Sequence, residues 1–188
     1  MKRIAFPAVF VVFITLAFLA GTAEAQRRDH LTAEEIELVR DVQDVDLRMG
    51  LFVHAIERRL WVISGTDALT PEQKKRVEKD HGEWGDLPTG TRTELISDIE
   101  RILSEAIDKL EDVFDREPEQ ELIPFALYVI ADYSEILIPE LRSLAESTED
   151  RRQLGLLESA VIHCQSILDA REGIPRPTGK RKKKKQAS

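Results

Sequence analysis

Few residues in this chain have the types and spacing that do chemistry. Glu78-Lys79-Asp80-His81 carries the Glu-x-x-His step that sets two metal ligands on one helix face. A carboxylate-bridged di-metal bundle needs that step on two helices plus two further glutamates. His54 and His163 have no glutamate three residues before them, so the pattern stops at one copy. Glu78, Asp80, His81 and Glu83 remain as a loose surface site for a divalent ion, against the plainer reading of a solvated charged turn. Cys164 is the only cysteine, which excludes an intramolecular disulfide. It stands among Val161 and Ile167 and reads as a buried, inert thiol. His163 points about 100° away from it on a helix, so no Cys–His pair follows. Asp41, Asp44 and Asp46 lack the glycine and terminal glutamate of a calcium loop and read as a solvated face beside Arg40 and Arg48. Carboxylate pairs such as Glu117 and Glu119 are too common at this composition to imply a glycosidase. The sequence holds no Gly-rich phosphate loop, nucleophile elbow, haem-attachment or zinc-protease motif. The expectation is a non-enzymatic protein with no cofactor and no catalytic or metal-ligating residue.

What the chain does carry is an address. Lys2 and Arg3 precede an uncharged run from Ile4 to Ala23, and Ala23-Glu24-Ala25 offers small residues where a signal peptidase reads. Residues 1–25 are expected to be a signal peptide cleaved before Gln26, which makes the protein periplasmic or extracellular. The rival is an N-terminal membrane anchor, since the run approaches the roughly 20 residues that cross a bilayer. Pro7 and Thr15 dilute it, and no cysteine follows it to take a lipid.

Apolar periodicity supplies the elements that would position any site. Thr32 and Glu35 form a capping box, after which Leu38, Val42, Val45, Met49, Phe52, Ile56 and Ile63 recur at steps of three, four or seven. This predicts one long helix from Thr32 to Ser64-Gly65. Thr70-Pro71-Glu72-Gln73 starts a short, charged helix to His81, and Gly82, Gly85, Pro88 and Gly90 follow as a loop pinned by Trp84 and Leu87. Thr91 and Glu94 cap the next helix, whose stripe is Leu95, Ile99, Ile102, Ala106, Leu110 and Val113, flanked by Ile96, Leu103, Ile107 and Phe114. Its far side is acidic: Glu94, Asp98, Glu105, Asp108, Asp112 and Asp115. A third helix starts at Pro124 and is expected to kink or restart at Pro139. A fourth, capped at Ser147 or Thr148, runs through Leu154, Leu157, Val161, Cys164, Ile167 and Leu168 to Gly173. The fold expected is all-α: an antiparallel four-helix-type bundle with coiled-coil-like seams and a short extra helix in the first long loop. The bundle domain spans 26–172 and a disordered basic tail 173–188.

Charge is segregated. Residues 26–170 hold 17 Lys/Arg against 33 Asp/Glu, whereas residues 171–188 hold 8 against 1. The acidic body repels phosphate, so sequence-specific nucleic-acid binding is not expected. Lys180, Arg181, Lys182, Lys183, Lys184 and Lys185 form the candidate binding tail, for anionic lipid headgroups or a polyanion. Any further partner is an unidentified protein or component of the envelope.

Two resemblances add to this. The run Leu31 to Leu60, LTAEEIELVRDVQDVDLRMGLFVHAIERRL, resembles the opening of a group of uncharacterised exported helical proteins from acidobacteria-like soil bacteria, which also end in lysine-rich tails. That likeness implies export and a helical fold, and no activity. Leu69 to Gln73, LTPEQ, resembles the L-T-x-x-Q signature of small periplasmic chaperones and stress sensors of the Spy/CpxP type, which are helical and non-enzymatic. That family carries the motif twice. Here the earlier copy, 38 residues upstream at Leu31, ends in Glu35 where the family has glutamine.

Overall fold

A computed structural model describes residues 28–178. The signal peptide expected over 1–25 and the lysine run 180–185 lie outside the described residues. The elements are α1 (Ala33–Asp41), α2 (Val45–Ser64), a 3-10 turn (Thr66–Ala68), α3 (Pro71–Trp84), α4 (Arg92–Arg116), α5 (Ile123–Glu146) and α6 (Arg151–Glu172), with no strand among the described residues. None of these helices is long and apolar enough to cross a membrane.

The four long helices α2, α4, α5 and α6 form the bundle, and α1 and α3 lie against it. Successive long helices reverse direction. The step from α4 to α5 crosses the bundle diagonally, because α4 and α5 each pack mainly on α2 and α6 and only lightly on each other. As a result α4 and α6 are neighbours running in the same direction, with Thr93 bonded to Gln153 and Glu100 bonded to Ser159 and His163. The core joins Met49, Phe52 and Ile56 of α2 to Ile99, Ile102 and Leu103 of α4, Ile130 and Leu137 of α5 and Leu157 and Cys164 of α6. Each such apolar side chain, fully removed from water, contributes about 1.5–3 kcal/mol.

Local chemistry explains most helix ends. Thr32, Thr70 and Thr91 all make capping boxes, with Glu35, Gln73 and Glu94 respectively, so two free backbone donors are satisfied at each start. α2 stops at Gly65, whose φ of +88° suits glycine. Two starts and one interruption differ from the periodicity. The long first helix is broken at Val42–Asp44: Val42 is extended (φ −90°, ψ 116°) and its carbonyl accepts from the Arg48 guanidinium at 2.6 Å. A tertiary ion pair outweighs helix continuation here. On an unbroken helix Glu35 and Arg59 would stand about 36 Å apart, yet they meet at 2.7 Å. The break folds α1 back across α2, and Asp44, a residue type that prefers helix starts, begins the new helix. The start of α6 is Asp150, which accepts from Arg152 and Gln153 N–H at 2.8 and 3.1 Å. Ser147 instead closes α5, its hydroxyl donating to the Leu144 carbonyl. α5 runs through Pro139 without a restart. Pro139 is on the exposed side, where the carbonyl it leaves unpaired meets water.

Candidate functional site

Charges concentrate in two places, and their surroundings decide what each set does. The first lies where α2 ends and α4 begins. Arg59, on the seam between Ile56 and Leu60, is 1% exposed, as is Glu35. The two form a bidentate pair at 2.8 and 2.7 Å, and Arg59 also donates to the carbonyls of Ala55 and His30. The same Glu35 carboxylate accepts the Thr32 N–H of its capping box at 2.9 Å, so one side chain ties the start of α1 to the middle of the bundle. Arg58 stands beside it, 3.5 Å from Glu35, and donates to the carbonyls of Trp84, Gly85 and Asp86. Gly85, at φ +64°, turns that loop inward, and a Cβ there would come within 2.9 Å of the Glu34 side chain. Asp98, only 3% exposed, pairs with Arg28 at 3.0 Å, and the Glu105 carboxylate lies 2.7 Å from the His30 ring. Burial raises the Asp98 carboxyl to about 6 in spite of Arg28 and Arg59. The hydrogen bond with His30 holds Glu105 below its ordinary value.

This corrects the acidic far side expected for α4: Asp98 and Glu105 are taken up by α1 and its approach. Asp46, expected on a solvated face, is 6% exposed.

Next to this cluster His54 lies between two carboxylates, with Nδ1 3.0 Å from Glu57 and Nε2 2.7 Å from Asp80. Trp61 and Trp84 meet its ring edge-on at 5.6 and 4.3 Å. Burial acts to raise Glu57, but the His54 hydrogen bond and the Arg76 charge outweigh it and leave its pKa lowered. Asp80 is thereby removed from the loose metal set. His81 pairs instead with Asp86 at 3.0 Å, and Glu78 and Glu83 are exposed. Among the described residues no group of three or more His, Cys, Asp or Glu side chains is placed to hold a metal ion. Cys164 is fully buried, and burial pushes its thiol up to about 11 against a hydrogen bond with Ser134. His163 turns away to Glu100 at 3.2 Å.

The second place is the opposite end, where α4 finishes, α5 begins and α6 finishes. Residues 108–121 include Asp108, Glu111, Asp112, Asp115, Glu117, Glu119 and Glu121 against Lys109 and Arg116. Arg116 pairs with Asp112 at 2.7 Å. Asp108, Glu111, Asp115 and Glu119 are exposed and meet no cation within ion-pair distance among the described residues. Beside them is a groove of about 470 Å³ walled by Ile107, Leu110, Phe114, Leu127, Ile167 and Ile174, with Glu111 and Asp115 at its rim. Phe114, expected to flank the core stripe, is 51% exposed, because the bundle ends before any element covers it. Ile174 is held there by the Tyr128 hydroxyl, which donates to its carbonyl at 3.0 Å. Arg176 caps the Tyr128 ring at 4.6 Å and pairs with Asp132 at 2.5 Å. A boundary after residue 172 therefore cuts through contacts that bind 173–178 to α5. Comparison with protein-family models, with curated proteins and with solved structures finds no match to this chain.

Proposed function

We propose that this is an exported, non-enzymatic binding protein of the cell envelope, and that its working surface is the acid-rimmed apolar groove between α4, α5 and α6. The observation that carries the reading is the exposed Phe114 beside unpaired Glu111 and Asp115. Apolar area left open within a ring of polar groups marks a contact surface. Its chemistry suits a basic, amphipathic segment of a partner protein, with one apolar side chain in the groove and lysines or arginines against the rim. The Spy/CpxP-like reading, a chaperone or stress sensor, is a variant of this one, in which the segment belongs to an unfolded client. The leader read in the sequence supports export.

The test is a titration of a fluorescent amphipathic lysine–leucine peptide with the processed chain. Saturable binding that Phe114→Ala weakens about tenfold, the loss of one anchoring contact of roughly 1.4 kcal/mol, is expected. Binding unaffected by Phe114→Ala would reject the groove. The client variant is checked by suppression of aggregation at stoichiometric protein; no suppression removes it.

The lysine run is a separate surface. Each Lys or Arg near an anionic membrane adds on the order of 1 kcal/mol, so Lys180–Lys185 are proposed to hold anionic lipid or a polyanion. Because Ile174 and Arg176 belong to the bundle, the comparison chain for a liposome assay should end at Thr178. Equal, salt-insensitive binding by both chains would remove the tail from the account.

A further inference from the structure

A second cleft, of about 460 Å³, separates the last turns of α2 and the start of α3 from α5, and nothing in the proposed partner groove involves it. Its size lies in the range that encloses a small molecule. Trp61 and Leu60 form part of its wall and Ile136 stands 60% exposed beside them; its polar lining is Glu57, Tyr133 and Glu140 with the neutral Ser64, Gln73 and Ser143.

The charges in this cleft do not balance. Glu57 is answered by Arg76 at 3.0 Å and by His54 at 3.0 Å. Glu140 has no ion-pair partner among the described residues. Partial burial and then the Glu57 charge raise the Glu140 carboxyl, which still reaches solvent, and burial followed by Glu57 and Glu140 pushes the Tyr133 phenol well above its ordinary value. The phenol therefore stays protonated, so it is a hydrogen-bond donor and acceptor at neutral pH. The chain also displays, on the near side of the cleft, how a cation is held there. The Arg76 guanidinium stands 5.5 Å from the Trp61 ring centroid while pairing with Glu57.

We infer that this cleft binds a small organic monocation, its ammonium or guanidinium group placed between the Glu140 carboxylate and the Tyr133 hydroxyl and its apolar body against Leu60 and Ile136. One unpaired carboxylate calls for one positive charge, and the mixed wall calls for an apolar portion on the same molecule. A free metal ion is a poor match: Glu57 is already paired with Arg76 and His54, and among the described residues no group of three or more His, Cys, Asp or Glu side chains is placed to hold one.

The probe is 2-phenylethylammonium, titrated into the processed chain and followed by tryptophan fluorescence and by saturation-transfer NMR of the probe. Saturable binding is expected, with Glu140→Gln weakening it about tenfold through loss of one charge-assisted contact. Tyr133→Phe should weaken it by a smaller factor. Glu140 is exposed, so its variant is expected to keep the parent's circular dichroism and melting temperature, which makes the comparison interpretable. 2-Phenylethanol, the same body without the charge, should bind at least tenfold more weakly. Absence of saturable binding, equal affinity for the alcohol, or a Glu140→Gln variant that binds as tightly as the parent would each overturn the inference. Unchanged binding of the lysine–leucine peptide in Glu140→Gln would confirm that the two grooves fail or succeed separately.

Discussion

The two ends of the bundle use acidic residues in opposite ways. Where α2 finishes and α4 starts, Glu35, Asp98, Glu57, Asp80 and Glu105 each meet a guanidinium or an imidazole. Where α4 finishes and α5 starts, Asp108, Glu111, Asp115 and Glu119 meet none among the described residues, and an apolar groove opens beside Glu111 and Asp115. Matched acids hold elements together; unmatched acids are left for something else to match. The number of carboxylates at each end matters less than the burial around them, because low dielectric penalises an unpaired charge inside and hardly penalises one in water.

The sharpest way to break this contrast is to delete one charge at each end. Glu35→Ala takes the shared carboxylate from buried Arg58 and Arg59, leaving Arg59 only Asp98 at 3.8 Å, and should cost about 3–5 kcal/mol, measured as the drop in unfolding free energy in urea. Asp115→Asn should change stability by no more than about 0.5 kcal/mol. Similar costs for the two would show that the ends do not differ as described.

Stability against pH isolates Asp98. Its folded carboxyl titrates at about 6, against 3.8 for the ordinary group. Between these values the folded state holds the proton more tightly than the unfolded chain, so this group's contribution falls as pH rises from about 4 to 6 and is fully lost above that. The shift corresponds to on the order of 2–3 kcal/mol. Asp98→Asn should therefore gain stability relative to the parent by about that amount between pH 4 and pH 7, whatever the offset from losing the Arg28 pair. A pH-independent difference would contradict it. At the smaller end, Thr91→Ala removes one side of a capping box and should cost about 1 kcal/mol. The Cys164 thiol should stay inert to a disulfide reagent until denaturant opens the fold, and prompt labelling of the native protein would refute its burial.

How legible this was in the sequence follows from what periodicity measures. Apolar spacing showed the seams of α2, α4, α5 and α6, and three Thr-x-x-Glu/Gln boxes showed where helices begin. Both signals are local, within a few residues. The break at Val42–Asp44 was invisible because its cause is a contact between Glu35 and Arg59, 24 residues apart, and Arg28 reaches Asp98 across 70. One hint was present: Arg59 lies only about 60° around the helix from Ile56, beside the apolar seam, and an arginine there calls for a buried acid. The groove was missed for a different reason. Ile107 and Phe114 continue a core stripe in sequence, and only the lengths and arrangement of the neighbouring helices reveal that the stripe outruns its cover.

The central claim is that the acid-rimmed groove is available for a basic peptide segment, whereas exposed acids elsewhere, such as those of α3, take no part in binding it. Peptide affinity in two charge-matched double variants tests it most directly. Glu111→Gln with Asp115→Asn removes two acids at the groove, and Glu72→Gln with Glu83→Gln removes two exposed acids of α3. The groove pair should weaken binding of the lysine–leucine peptide about tenfold, and the α3 pair less than about twofold. Equal losses would mean that only net charge attracts the peptide, and the groove would have no special part in it.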